Sequence, residues 1–261
     1  IADAVAAAID GDRIHLCDGY YNGVELDKTI HFKGLGDEPG DVYIQNGPTH
    51  SSGLIQGFRL LAGSDGSSFE GLWIQLDLGI MNGDGVDDVV VYNNYFVNNI
   101  QAISNWRGDN WSIAHNTIDG LRTACGGGIG ILIGAYDGVD DAVNNTVVQN
   151  TITGTLNVNA SDCGGYSGTG IVLFADHRFG RSGGEVSGNR VEHNTVSLTS
   201  NNPTLVDVVG IELTDTRDDE LVRDVFNNVV RSNFLQGTAE SLDLTPDNLD
   251  DYNVVTRNRV N

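Results

Sequence analysis

The chain is short of the residues that build long helices. Leu, Lys, Glu and Gln are sparse along its 261 residues, and only the first ten, rich in Ala, read as helical. Apolar residues make up 39%, against the ~45–50% usual for a globular chain. Nowhere do about 18 apolar residues run together, which excludes a transmembrane helix. Positive charge is scarce: 14 Lys and Arg stand against 36 Asp and Glu, a formal net charge of −22. Such a surface repels nucleic acid and anionic membrane, so neither is expected as a partner. The acids are dispersed rather than gathered in a tail, and read as solvated loops. A halophilic or marine setting, cation binding or solubility would each account for them. The chain opens at Ile1 rather than Met, which reads as a trimmed product, so the lack of a leader carries no weight.

Turn chemistry is abundant instead. The chain has 34 Gly but 4 Pro, with many Asn and Asp between short apolar runs. Strands of three to five residues at this density suit a barrel, a sandwich or a solenoid. A repeat decides among them. Gly130-Ile131-Leu132-Ile133 recurs as Gly170-Ile171-Val172-Leu173 and as Gly210-Ile211-Glu212-Leu213, 40 residues apart each time. Ser241-Leu242-Asp243-Leu244 is a weaker copy. Such a period means stacked coils.

A second consensus lies between these copies. Asn145-Thr-Val147-Val-Gln-Asn150-Thr-Ile152 returns as segments beginning at Asn189, Asn228 and Asn253. The runs around Asn94 and Asn116 match it without the leading Asn. Val, then Asn three residues on, then an aliphatic two further on, reads as strand, corner, strand. Asn tolerates left-handed backbone and bonds nearby backbone groups. Stacked corners would align Asn94, Asn116, Asn150, Asn194, Asn233 and Asn258 in a hydrogen-bonded ladder. Their separations run from 22 to 44 residues, so a minimal coil carries insertions, mainly at 119–128, 153–168 and 197–208.

These motifs resemble the right-handed parallel β-helix proteins of the pectin-lyase-like superfamily. Ala7-Ala8-Ile9-Asp10-Gly11-Asp12-Arg13-Ile14-His15-Leu16, then Gly19-Tyr20-Tyr21, is similar to that superfamily's first turn, and the later Asn and Gly-Ile units to its repeats. The resemblance covers nearly the whole chain. It implies an all-β, right-handed parallel β-helix, one domain over residues 1–261, with a helical cap over 1–10. It implies an extracellular, periplasmic or cell-surface setting, and binding or cleavage of acidic polysaccharide. The Arg-x-Pro-x-x-Arg of pectate lyases, the Asn-Thr-Asp of polygalacturonases and the Asp-Pro-His of mannuronan epimerases are absent.

Stacking also assigns residues to places. Ala2 to Ile9 would cover the open end of the core with Val5, Ala8 and Ile9. Cys125 and Cys163 each precede a Gly-Ile strand and fall on adjacent layers, about 4.8 Å apart. They are expected to form a disulfide, with two reduced thiols as the alternative. Cys17, in an alternating strand, is expected in the core.

With Ile131, Ile171 and Ile211 superposed, Tyr136, Asp176 and Thr216 align, as do Asp137, His177 and Arg217. Arg178 and Asp215 lie beside them, and Trp106 and Arg107 one coil earlier. Uronate lyases and epimerases need a base, a carboxylate neutraliser and an acid. His177, Arg178 or Arg217, and Tyr136 could fill those roles. Asp137, Asp176 and Asp215 could instead supply the paired carboxylates of a glycoside hydrolase. Trp106 and Arg107 would bind substrate. The plainer reading is a solvated turn whose charges pair with one another. Asp84, Asp87 and Asp88 have the Asp and Gly density of a calcium loop without its full twelve-residue spacing. Sequons stand at Asn110, Asn144 and Asn159.

Two functions follow. One is an extracellular protein that binds acidic polysaccharide along this lateral face, with or without cleaving it. The other is a non-catalytic structural or adhesive module that assembles into an oligomer or filament.

Overall fold

A computed structural model describes the chain except for residues 39, 84, 125–126, 160–166, 218–222, 247–248 and 251. The chain winds through three long sheets in strict rotation, and every strand pairing within them is parallel. Sheet A has nine strands, from Asp12–Leu16 to Val254–Thr256. Sheet B has nine, from Gly19–Asn22 to Arg259–Val260. Sheet C has eight, from Val24–Leu26 to Glu240–Thr245. The result is a parallel β-helix of three faces, right-handed as strand twist requires of parallel crossovers.

The 40-residue ruler holds in register. Ile103, Ile131, Ile171, Ile211 and Leu242 are successive partners in sheet C. Side chains alternate between the faces of a strand. Ile131, Ile171 and Ile211 therefore stack inside with no exposure, while Leu132, Val172 and Glu212 face outward. Each fully buried Ile or Leu contributes about 1.5–3 kcal/mol. Phe58 and Phe69, 4.8 Å apart between ring centres, fill the core of the first coils. The Gly of each Gly-Ile pair answers a contact. A Cβ on Gly170 would lie 2.5 Å from the carbonyl oxygen of Gly210.

The Asn ladder turns the corner between sheets A and B. Nδ2 of each of Asn94, Asn116, Asn150, Asn194 and Asn233 donates to Oδ1 of the next ladder Asn, at 2.9–3.1 Å. The left-handed residue is the one before it: Asn93, His115, Gln149, His193, Ser232 and Arg257 have φ of 53–57°. The expectation that the ladder Asn itself takes that conformation is corrected. Its side chain must enter the core to reach buried carbonyls, so its neighbour makes the turn.

A second ladder runs along the corner between sheets C and A, through Asn145, Asn189, Asn228 and Asn253. One coil earlier the corner position is Trp111, and Asn105 supplies the missing amide, donating to Asn145 Oδ1 at 3.1 Å.

Other expectations change at the ends. The helix spans Ala2–Ala7 and buries Val5, but Ile9 is 72% exposed, because the chain leaves the helix at Ala8 in extended conformation. Lys28 Nζ caps it, donating to the carbonyl of Ala8 at 3.1 Å. Cys17 is exposed, not buried. It shares parity with Arg13 and His15, which point outward, while Leu16 points in. Cys125 and Cys163 lie outside the described residues. The insertion expected at 153–168 begins later, since a strand runs on through Thr151–Asn157.

Candidate functional site

The outer face of sheet C changes character along the helix axis. Its central outward ladder reads Glu25, Arg59, Met81, Ser104, Leu132, Val172, Glu212 and Asp243. Glu25 and Arg59 pair at 2.9 Å at one end. In the middle, Leu132, Val172 and Phe174 form a small apolar cluster, joined by Trp106 and Ile129. The Trp106 ring lies over Gly134, where a Cβ would come within 2.9 Å of it, and reaches Phe174 at 6.0 Å between ring centres.

This strip floors a groove of about 550 Å³. One wall stands at the corner where the chain enters sheet C, with Leu54, Ile100 and Ser167. The other stands where the chain leaves it, with Arg178, Phe179 and Arg181. Glu212 rises from the floor. Thr169 Oγ1 donates to one of its oxygens at 2.9 Å and Thr214 Oγ1 to the other at 2.5 Å.

Asp176 anchors the second wall. It is fully buried and accepts from Arg178 Nε at 2.9 Å, from the Arg178 backbone N–H at 3.1 Å and from Arg181 Nη1. Burial pushes its carboxyl up, but the bonds and charge of Arg178, with Arg181, outweigh that and hold it below the usual carboxylate range. An anion so fixed is a brace for two guanidiniums, not a free base. Arg178 stacks over Phe174 at 4.7 Å. Phe179 is 83% exposed and sits at φ 59°, ψ 30°, a left-handed conformation that is costly for a bulky residue.

The register gathers Trp106, Arg107, Tyr136 and Asp137 at one neighbouring spot. Trp106 and Tyr136 meet edge to face at 5.3 Å, and Arg107 lies 4.8 Å above the Tyr136 ring. Arg107 also pairs with Asp137 and donates to the Gly83 carbonyl. Burial raises the Asp137 carboxyl, yet the N–H groups of Val139 and Asp140 and the Arg107 charge bring it down overall. His177, Asp215 and Arg217 form a separate cluster around Asp224. His177 Nε2 lies 2.8 Å from Asp224, and Arg217 Nη2 2.7 Å. Asp215 is 2% exposed and accepts the backbone N–H groups of Arg217 and Asp224, at 3.0 and 2.6 Å. Of the residues singled out from sequence, Arg178 lines the groove.

Sequence reasoning missed Glu212, Phe179, Arg181 and Asp224. For Glu212 the signal was present: the third place of the repeat holds Leu132 and Val172 in the earlier copies and a carboxylate here.

Of the aspartates read as a calcium loop, Asp87 bonds backbone at a corner of the coil. Asp87 Oδ1 accepts the Asp109 N–H, and Asp65 Oδ1 accepts the Asp87 N–H, each at 2.8 Å. They cap successive coils. Asp88 takes φ 60° at the same corner, and Asp84 lies outside the described residues. Among the described residues, no three His, Cys, Asp or Glu converge to hold a metal ion. The carboxyl of Asp109 is raised by burial and by the charges of Asp87, Asp141 and Glu185, against the Val143 N–H.

Fold and groove define the class: a parallel β-helix with a lateral cleft of mixed apolar and charged lining. No family model and no curated protein matches the chain. Among solved structures it is similar to the catalytic domain of a GH87 α-1,3-glucanase in complex with tetrasaccharides, at 12% identity and a TM-score of 0.37. That likeness covers 94% of this chain and 63% of the glucanase domain, so the chain spans less than two thirds of that length. It is also similar to the A-module of the Azotobacter vinelandii mannuronan C-5 epimerase AlgE6, at 12% identity and a TM-score of 0.40, covering 99% of this chain and 91% of that module.

Proposed function

We propose that the chain binds acidic polysaccharide in the groove on the outer face of sheet C. The observation that supports this reading is the make-up of the groove. An apolar floor of Val172 and Phe174 lies beneath two guanidiniums, Arg178 and Arg181, and beside an exposed, strained aromatic, Phe179. Guanidinium forks recognise carboxylates, and aromatic rings cover the apolar faces of sugars. A strained residue held at a ligand wall is a recurrent sign of use. Such a ligand would be met outside the cell or at its surface.

Binding without turnover is the second reading, and the fate of the carboxylates favours it. Asp137, Asp176 and Asp224 are each committed to arginine. A glycoside hydrolase needs two carboxyl groups about 5–9.5 Å apart across the bond it cleaves. Among the described residues lining the groove, Glu212 is the one carboxylate. Cleavage would be an elimination in which Glu212 takes the C5 proton as the C4–O bond breaks, the leaving oxygen takes a proton from water, and Arg178 and Arg181 hold the uronate carboxylate.

The test is calorimetry against polygalacturonate, alginate and neutral glucan. Saturable binding of a polyuronate, lost in Phe179→Ala at unchanged melting temperature and in Arg181→Ala at a lower one, since Arg181 also pairs with buried Asp176, is the expected result. Equal affinity for the neutral polymer would overturn the acidic specificity, and no binding at all would overturn the groove. Release of unsaturated uronate, lost in Glu212→Gln, separates cleavage from binding alone.

A further inference from the structure

The outer face of sheet A carries a feature of the opposite sign to the rest of the molecule. Its first two strands, Asp12–Leu16 and Ile30–Gly34, hold Arg13, His15, His31 and Lys33 on one face. The whole chain has 14 Lys and Arg and 6 His under a net charge of −22, so four basic side chains on two adjoining strands are a concentration and not a scatter. Register places Arg13 directly beside His31, and His15 directly beside Lys33. Neighbouring strands are about 4.8 Å apart. Arg13 and Lys33 carry positive charge here and the two imidazoles bring ring N–H donors, so the patch calls for a counter-charge.

The local acids do not supply it fully. Asp12 accepts the N–H of Ile9 at 2.9 Å, and Asp10 accepts that of Thr29 at 3.1 Å. Glu70 pairs with Lys33 at 2.9 Å. Arg13 and His15 have no hydrogen bond or ion pair among the described residues. His31 Nδ1 lies 2.9 Å from Ser68 Oγ, which leaves its other ring nitrogen without a partner among them. These residues line a cavity of about 240 Å³.

We propose that this cavity is an oxyanion site, which takes a sulfate or phosphate group. Arg13 supplies a planar fork of donors suited to such a group. His31 and His15 add single donors, and Lys33 adds a charge shared with Glu70. The site lies on a different sheet from the groove and does not depend on it. The surrounding negative field opposes free anions, so occupancy rests on short-range bonds and is read against a matched chloride background.

The experiment titrates the whole chain with sodium sulfate and sodium phosphate at constant ionic strength, and separately with dextran sulfate. Saturable binding of the inorganic anions, weakened about tenfold in Arg13→Ala, is the expected result. Glu70→Gln frees Lys33 and should tighten the same binding by about threefold. Retention of dextran sulfate alone, lost in Arg13→Ala, also supports the site and shows that the anion is borne on a polymer. Phe179→Ala should leave the binding of sulfate and phosphate unchanged, which separates the site from the groove; dextran sulfate, which the groove could also take, is compared in the Phe179→Ala background. Binding that Arg13→Ala does not weaken, or no binding of any of these probes, would overturn the proposal. Arg13 is exposed, so its replacement leaves the melting temperature as a control for folding.

Discussion

Oδ1 of Asn194 accepts two hydrogen bonds from Asn150, one from its backbone N–H at 2.9 Å and one from its Nδ2 at 3.0 Å, across 44 residues of sequence. Nδ2 of Asn194 itself donates to Asn233 and to the Val147 carbonyl. One fully buried amide thus joins three coils. Asn194→Ala strips two buried donors of Asn150 of their acceptor. With each such loss worth about 1–3 kcal/mol, the expected cost is about 2–6 kcal/mol in urea unfolding. Asn258→Ala, at the part-buried last rung, should cost about 1 kcal/mol. Equal costs at both positions would show that the ladder does not act through burial.

The Gly-Ile repeat predicts a steric cost of a different kind. In Gly170→Ala the new Cβ would lie 2.5 Å from the Gly210 oxygen and 2.6 Å from Val196 Cγ1. Overpacking of this sort costs about 1–3 kcal/mol. Gly83→Ala meets nothing within 4 Å and should be neutral to within about 0.5 kcal/mol. Chemical denaturation of both variants checks the contrast.

Two aspartates should move stability in opposite directions with pH. The Asp176 carboxyl is lowered in the folded state, burial being outweighed by Arg178 and Arg181. Its stabilisation is complete above the unfolded value of about 3.9 and is lost as pH falls through the lower folded value. Asp176→Asn should therefore unfold more easily at neutral pH, and its deficit should shrink in acid. Asp109 is raised by burial and by neighbouring acids, so its ionised form costs stability above the folded value. Asp109→Asn keeps an oxygen for the Val143 N–H and should melt higher than the wild type at neutral pH, with the gain fading below the unfolded value. Melting temperatures between about pH 3 and 8, spanning the ordinary Asp range, decide both signs.

Phe179 ties strain to the proposed function. A bulky residue in left-handed conformation costs about 1–2 kcal/mol, which glycine does not incur. Phe179→Gly should raise stability by about 0.5–1 kcal/mol, after the greater unfolded freedom of glycine is deducted. It should also abolish the contribution of the ring to glycan binding. A variant more stable and weaker in binding is the outcome expected of a strained contact residue.

Salt gives a further check on the groove. A polyuronate must approach a chain of net charge −22. That repulsion reaches roughly 30 Å at 0.01 M salt and about 10 Å at 0.1 M. Binding should therefore strengthen over this range before the bonds to Arg178 and Arg181 are themselves screened. A monotonic fall in affinity would place the contact elsewhere.

The coil is written into the repeat. Val147, Asn150 and Ile152 carry their own instructions, because an apolar side chain, a corner amide and a second apolar side chain repeat at every turn. Stacking them in parallel satisfies all three at once. The 40-residue spacing of Ile131, Ile171 and Ile211 likewise set the register, since one wrong step would turn a core residue outward. Tertiary structure decided what that register could not express. His177 and Asp137 align along the chain, yet their side chains leave toward different partners, Asp224 and Arg107. Those partners come from other coils, and their choice depends on where each corner aims a carboxylate. Glu212 was legible as a departure from the repeat, but only the assembled face shows it between Thr169 and Thr214 in a groove. A repeat specifies which backbone positions are neighbours. The insertions between repeats decide which side chains meet above them.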